Sequence, residues 1–137
     1  MSGDPFTRVL RIGLAIGFVI DLYVGVLSLF APQLLTPLLD IPMRDPVIVQ
    51  FAGGEFVIAA LVYAAAFRDP QRYRVLLWLC ALDQVFGVLM PGLAVMHGAF
   101  PATWKVIAPI PLQALLALLF AFAAARPDRS PAVTRLE

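Results

Sequence analysis

Four long apolar stretches, separated by short proline-rich or charged segments, make up most of this chain. They cover approximately residues 9–31, 47–67, 75–96 and 106–125. Each has about the 20 residues that a helix needs to cross the hydrocarbon core of a bilayer. The alternating pattern of a membrane β-barrel is missing from the sequence. The pattern therefore predicts a single all-α domain, a bundle of four transmembrane helices.

The connection between the first two stretches, residues 32–46, differs from an ordinary loop. It holds four prolines among leucines. A soluble loop would be more polar, so we expect this segment to lie along the membrane interface as a lid. The first apolar stretch is longer than the 7–15 residues of a signal-peptide core, and we therefore expect it to be a retained helix.

The basic residues are distributed unevenly between the two sides of the predicted bundle. Arg44 and Lys105 lie on one side, and the other side carries eight, namely Arg8, Arg11, Arg68, Arg72, Arg74, Arg126, Arg129 and Arg135. Cytoplasmic loops of membrane proteins are enriched in Lys and Arg. We therefore expect both termini to face the cytoplasm, which an even number of spans allows.

Composition agrees with a membrane location and excludes several functions. The chain is 61% hydrophobic and 14% charged, with a mean hydropathy of +0.89, so its main partner is expected to be the lipid bilayer. A net charge of +1 gives no basis for nucleic-acid binding. The single cysteine, Cys80, excludes an internal disulfide and a multi-cysteine metal site. We expect neither a metal nor a cofactor.

Each predicted span carries a polar side chain near its middle. Three are the acids Asp21, Glu55 and Asp83, and two are the amides Gln84 and Gln113. Counted from the predicted cytoplasmic ends at 1.5 Å per residue, they lie at similar depths. Ionisable groups inside membrane spans usually face the bundle interior. We therefore predict that these side chains converge.

Small residues share helix faces with the polar positions. Asp21 belongs to a series that repeats every four residues, Gly13, Gly17, Asp21 and Gly25. Glu55 is placed on one face of the second span with Ala52, Ala59 and Tyr63. Small residues in membrane helices mark close contact between helices. This pattern predicts that Asp21 and Glu55 both point inward.

The three acids have no Lys or Arg at their own level. We therefore expect their partner to be a proton, a cation or a molecule with hydrogen-bond donors. Asp21 and Glu55 are the candidate catalytic residues, as proton donor and acceptor or as anchors for a cation. The candidate ligand-binding residues are Asp83, Gln84, Gln113 and Tyr63. Alternatively, the same groups hydrogen-bond across helices and only hold the bundle together.

Several short motifs occur in a familiar order. Arg8 and Arg11 precede the glycine-striped first span, which ends in Leu29-Phe30-Ala31-Pro32. The second span contains Gly53-Gly54-Glu55 and ends in Phe67-Arg68-Asp69-Pro70, and the fourth ends in Arg126-Pro127. Over nearly the whole chain this order resembles the DoxX-like group of small bacterial four-helix membrane proteins. The resemblance implies a multi-pass protein of the bacterial inner membrane. Some members of the group are linked to thiosulfate–quinone chemistry, but most have no assigned activity.

A second, weaker resemblance concerns the chemistry of the acids. Asp21-Leu22, Arg44-Asp45-Pro46 and Glu55 are similar to acidic positions of the sterol-isomerase and sigma-2-receptor type of four-helix protein. In that type, acids in a membrane cavity meet a cationic ligand or a carbocation. The third span lacks the histidine of that type, so this likeness suggests chemistry and not kinship.

Three functions follow from the sequence as alternatives. The first is a cavity that binds a small lipophilic or cationic molecule, with acid/base chemistry on that molecule as an extension. The second is proton-coupled or cation-coupled transport, since acids in the middle of the membrane serve as coupling sites. The third is a non-catalytic accessory subunit of a larger membrane complex, with the small-residue stripes as its contact surfaces. A homo-oligomer is expected for the transport alternative.

Overall fold

In the computed structural model, which describes residues 4–126, the chain is helical and has no β-strand in that range. Two short helices, α2 and α5, lie between four long elements. The helices are α1 (Pro5–Phe30), α2 (Leu35–Leu39), α3 (Pro46–Arg68), α4 (Arg74–Met96), α5 (Trp104–Ile107) and α6 (Pro109–Ala125), with a 3-10 turn at Pro32–Leu34. The all-α prediction is therefore confirmed.

Four segments are long and apolar enough to cross a membrane. They are Pro5–Phe30, Pro46–Arg68, Arg74–Met96 and Trp104–Ala125, whose most apolar 18-residue stretches have mean hydropathies of 2.2, 1.8, 1.7 and 2.2. This confirms the prediction of four candidate membrane spans. The side on which the termini lie stays a prediction, and two of the basic residues that support it, Arg129 and Arg135, are outside the described residues.

Aspartates begin two of the long helices. The Asp4 carboxylate accepts a hydrogen bond from the Phe6 N–H, and the Asp45 carboxylate accepts one from the Val47 N–H at 2.9 Å. A proline follows each aspartate at the first helical position, where no N–H is needed. The fourth span is divided at Ala108, because Pro109 and Pro111 cannot donate to the preceding helical turn.

The bundle consists of two closely packed helix pairs, α1 with α3 and α4 with α6. Gly25 and Gly53 let the backbones of α1 and α3 approach each other, since a Cβ built on either would lie 3.0 Å from the other's carbonyl oxygen. Approach of this kind maximises dispersion contact, on which helix association in lipid depends.

The two pairs meet most tightly at the end of the bundle that carries residues 4 and 126, here called the terminal end. The opposite end, with residues 31–45 and 97–108, is called the loop end. The core at the terminal end contains Leu10, Leu14, Ala66, Leu77, Phe120 and Ala124. Toward the loop end, by contrast, no residue of α4 after Gln84 is fully buried. The helix pairs are therefore joined at one end and loosely packed at the other.

At the loop end, Lys105 fastens the segment that contains α2. Its ammonium group donates hydrogen bonds to the Pro37 carbonyl at 3.0 Å and to the Asp40 carboxylate at 3.2 Å. Asp40 ends α2 in the left-handed conformation with a φ of 57°, which aspartate and asparagine adopt more readily than most residues. The segment predicted to be an interfacial lid is thus held to the start of the fourth span.

The contact between the Lys105 ammonium and the Asp40 carboxylate is expected to be lost in acid. The Thr103 side chain and the Lys105 ammonium lower the pKa of Asp40 from its ordinary value of 3.8. A lowered folded-state pKa means that the contact is intact at neutral pH and is lost as the pH falls through that pKa. We expect the protection factors of amides in residues 36–41 to fall below about pH 4.

Hydrogen-exchange mass spectrometry across pH 3–6, corrected for the intrinsic exchange rate, checks this expectation. The control is Asp40→Asn, which keeps a residue suited to the left-handed conformation but removes the titrating group. Its protection factors should be low at neutral pH and independent of pH. A wild-type profile that is equally flat would contradict the assignment.

Candidate functional site

Tyr63 lies at the centre of a buried hydrogen-bond network between α3 and α4. Its side chain is 1% exposed, and its hydroxyl lies 2.8 Å from Oδ2 of Asp83 and 3.1 Å from the Cys80 carbonyl oxygen, both acceptors. The same hydroxyl accepts a hydrogen bond from Nε2 of Gln84 at 2.7 Å. Gln84 Nε2 also donates to Asp83 Oδ2 at 3.2 Å. Oδ2 of Asp83 is therefore within hydrogen-bond distance of two donors, the Tyr63 hydroxyl and the Gln84 amide.

Asp21 joins this network from α1. Its carboxyl group is 3% exposed and faces the Asp83 carboxyl, close enough for the two groups to share a hydrogen bond. Helices α1 and α4 belong to different helix pairs, so this contact links the two halves of the bundle. We call Asp21, Tyr63, Asp83 and Gln84 the carboxyl cluster. The structure thus brings together four of the six predicted site residues.

Buried hydrogen-bond acceptors outnumber donors in the carboxyl cluster and at the neighbouring Gln113. Within residues 4–126, Oδ2 of Asp21, Oε1 of Gln84 and Oε1 of Gln113 are buried and have no hydrogen-bond partner. None of the ion pairs found in that range involves Asp21 or Asp83. Buried polar atoms are satisfied in the great majority of cases, so each of these oxygens needs an explanation.

Two glycines make room for the polar side chains. A Cβ on Gly17 would lie 2.5 Å from Cε1 of Tyr63, so the absence of a side chain in α1 allows the tyrosine ring to reach Asp83. A Cβ on Gly87 would lie 2.6 Å from Nε2 of Gln113. Because Gly87 is one helical turn beyond Asp83, the Gln113 amide lies about one turn from the cluster, toward the loop end.

Glu55 does not join the carboxyl cluster, and the expectation that it points inward is wrong. It is exposed on α3 and has no hydrogen bond or ion pair with any residue between 4 and 126. Positions four apart drift by about 40° on a helix, so over the eight residues from Glu55 to Tyr63 the face turns by about 80°. Glu55 also lies about 12 Å farther from the terminal end than Tyr63.

The structural roles of Gly17 and of the Cys80 carbonyl are not predicted by the sequence pattern. In the sequence, Gly17 is one member of the glycine series. The series predicts close contact between helices but does not identify Tyr63 as the side chain that packs against Gly17. The carbonyl of Cys80 carries no signal in the sequence. Among residues 4–126, no group of three or more His, Cys, Asp or Glu residues is placed to hold a metal ion.

An apolar groove of about 500 Å³ lies between α4 and α6, separate from the polar network. It is lined by leucine, valine and alanine side chains together with Trp78, and it includes none of the predicted site residues. Because it is open on one side and lacks polar groups, it offers packing for hydrocarbon but no means of recognising a particular head group.

Comparison with known proteins gives no relative from which a role could be transferred. No protein-family model, no curated protein and no solved structure matches this chain. The resemblance to the DoxX-like group therefore stays a prediction, and the geometry of the carboxyl cluster is the basis for a proposed function.

Proposed function

We propose that this chain binds, inside the membrane, a small lipophilic molecule that carries a positive charge or hydrogen-bond donors. The observation that supports it is the excess of buried acceptors, namely Oδ2 of Asp21 and the Oε1 atoms of Gln84 and Gln113. A ligand with donors would satisfy oxygens that the described part of the chain leaves without partners. A ligand with only acceptors would add to the imbalance.

Asp21 is the principal anchor in this proposal. Asp83 already accepts from Tyr63 and Gln84 on one oxygen, whereas Oδ2 of Asp21 has no hydrogen-bond partner among the described residues. A bound ammonium or hydroxyl group would therefore gain most by donating to Asp21. Where chemistry occurs on the bound molecule, Asp21 and Asp83 are the adjacent pair that would give and take a proton.

A purely structural role accounts less well for these groups. Hydrogen bonds between membrane helices contribute about 0.6 kcal/mol on average and up to about 1.7 kcal/mol. An unsatisfied buried acceptor costs about 1–3 kcal/mol. The loss from the three unpartnered oxygens would therefore exceed the gain from the few bonds that Tyr63 and Gln84 make. A network that served only to join helices would leave fewer acceptors open.

The packing favours binding over transport. Between the carboxyl cluster and the terminal end, the core consists of apolar side chains such as Leu10, Leu14, Leu77 and Phe120. A transported ion would have to cross this apolar layer, which would require a large rearrangement. A ligand would reach the cluster from the loop end, where no residue of α4 after Gln84 is fully buried.

Binding of three probes to the protein in lipid nanodiscs tests the proposal. The probes are 1-aminoadamantane, which has a charge and donors, 1-adamantanol, which has a donor alone, and tetraphenylphosphonium, which has a charge alone. We expect Asp21→Asn to raise the dissociation constant of 1-aminoadamantane about 10-fold to 100-fold. This corresponds to the loss of a hydrogen bond to a charged group, which contributes about 1.5–3 kcal/mol. Equilibrium dialysis measures the dissociation constant.

Glu55→Gln is the matched control, because it removes an intramembrane acid that lies outside the cluster. Its dissociation constants should equal those of the wild type. The proposal fails if none of the probes binds, or if Asp21→Asn and Glu55→Gln have the same effect. Comparison of the two adamantane probes shows whether the positive charge or the donor matters more.

A further inference from the structure

Glu55 is an acid in the middle of a membrane span that faces away from the bundle. It lies nine residues from the start of α3 at Pro46 and thirteen from its end at Arg68. Its surroundings on that face are apolar, and no described residue donates to it. A carboxyl group in contact with lipid at this depth is costly, which is why such groups usually face protein or water.

The residues around Glu55 repeat with the spacing of a helix–helix contact. Ile48, Phe51, Glu55 and Ile58 are separated by three, four and three residues and are all exposed, Phe51 by 75% and Ile58 by 64%. This is the spacing of the apolar positions in a coiled coil, where residues of one face meet the same face of a second helix. We call these four residues the α3 seam.

We propose that the α3 seam is the contact between two copies of this chain, with the Glu55 side chains paired across a two-fold axis. In a two-fold contact the same residue from each copy lies near the axis. A neutral carboxyl group has one donor and one acceptor, so two of them satisfy each other in a pair of hydrogen bonds. The chemistry of Glu55 is therefore complementary to itself.

Other occupants of the α3 seam fit this chemistry less well. The amine of a lipid head group stays at the interface and does not reach the middle of a span. The chain's own cations near the loop end, Arg44 and Lys105, lie beyond the ends of the long helices, and Lys105 already pairs with Asp40. A second copy supplies a matching carboxyl group at the same depth.

Energy transfer between donor-labelled and acceptor-labelled protein in vesicles, measured as the lipid-to-protein ratio is raised, gives the dimer dissociation constant. We expect wild type to dimerise and Glu55→Leu to raise this constant about tenfold. Glu55→Gln should stay near wild type, because an amide also has a donor and an acceptor. Leucine at an exposed membrane position leaves the bundle intact, so a change reports on association.

Cysteine cross-linking locates the contact. In a Cys80→Ala background, Ile58→Cys on the α3 seam should form a cross-linked dimer, whereas Leu118→Cys, exposed on α6, should not. Protein that is monomeric in vesicles overturns the proposal. So does a Glu55→Leu variant that dimerises as tightly as wild type, or equal cross-linking at the two positions.

Discussion

Gly53→Leu is expected to separate α1 from α3 and to destabilise the bundle strongly. A Cβ at this position would lie 2.7 Å from Cβ of Ser28, 2.9 Å from the backbone nitrogen of Leu29 and 3.0 Å from the Gly25 carbonyl oxygen. Overpacking usually costs about 1–3 kcal/mol, because neighbouring side chains can shift. Two of the three obstructing atoms here are backbone, which cannot turn aside. We therefore expect a loss of at least 3 kcal/mol, roughly the upper end of that range.

The adjacent glycine provides the control for this substitution. A Cβ on Gly54 would meet no atom within 4 Å, so Gly54→Leu changes the same residue type at nearly the same depth without a clash. Unfolding of the two variants in mixed micelles, by titration with a denaturing detergent, gives the difference in free energy. Gly53→Ala offers a milder change if the leucine variant does not fold. Equal stability of the Gly53 and Gly54 variants would contradict the observed packing.

Tyr63→Phe is expected to weaken both the fold and the site. The substitution keeps the ring and its contact with Phe120, whose centroid is 5.8 Å away, so no cavity forms. It removes the donor to Asp83 and the acceptor for Gln84, and both partners remain buried or half-buried. The average hydrogen bond between membrane helices would predict a loss of only about 0.6 kcal/mol.

The loss should exceed this average, because the hydrogen bonds from Tyr63 to Asp83 and from Gln84 to Tyr63 are removed together, while Gln84 still donates to Asp83 at 3.2 Å. We expect a loss of about 2 kcal/mol, which corresponds to two hydrogen bonds of about 1 kcal/mol each. The same detergent titration measures it, and Tyr23→Phe is the control, since Tyr23 is 49% exposed. If the two variants differ by less than about 0.5 kcal/mol, the Tyr63 network does not contribute in the way described.

The fold could be predicted from the sequence because its main cause is the solvent. A helix that crosses a bilayer must satisfy its own backbone, so the lengths of the apolar stretches and the prolines between them already define the elements. The break at Ala108 follows equally from local chemistry, since Pro109 and Pro111 lack N–H groups. A sequence with four such apolar stretches has few alternatives to forming four long helices.

The site was predictable only in part, because the direction of a side chain depends on angle as well as on depth. Asp21 belongs to a glycine series whose spacing predicts close helix contact, and the structure agrees, since Gly13 packs against α6 and Gly17 and Gly25 pack against α3. A spacing of four residues predicts that Glu55 faces the interior with Ala59 and Tyr63, and this prediction is wrong. Each step of four residues turns about 40° past a full helical turn, so after two steps the position has moved about 80° around the helix. A spacing of four residues therefore cannot distinguish an inner face from an adjacent outer one.

The arrangement of the helices in pairs has a consequence for the order in which the protein assembles. Because α1 and α3 are consecutive long helices and hold their own close glycine contact, the first pair can form while the second is still being synthesised. Chains generally fold from the amino terminus during synthesis. Asp21 is then already in the first helix pair, whereas its neighbour Asp83 is added only when α4 is synthesised. The first helix pair therefore enters the membrane before Asp21 has its partner carboxyl.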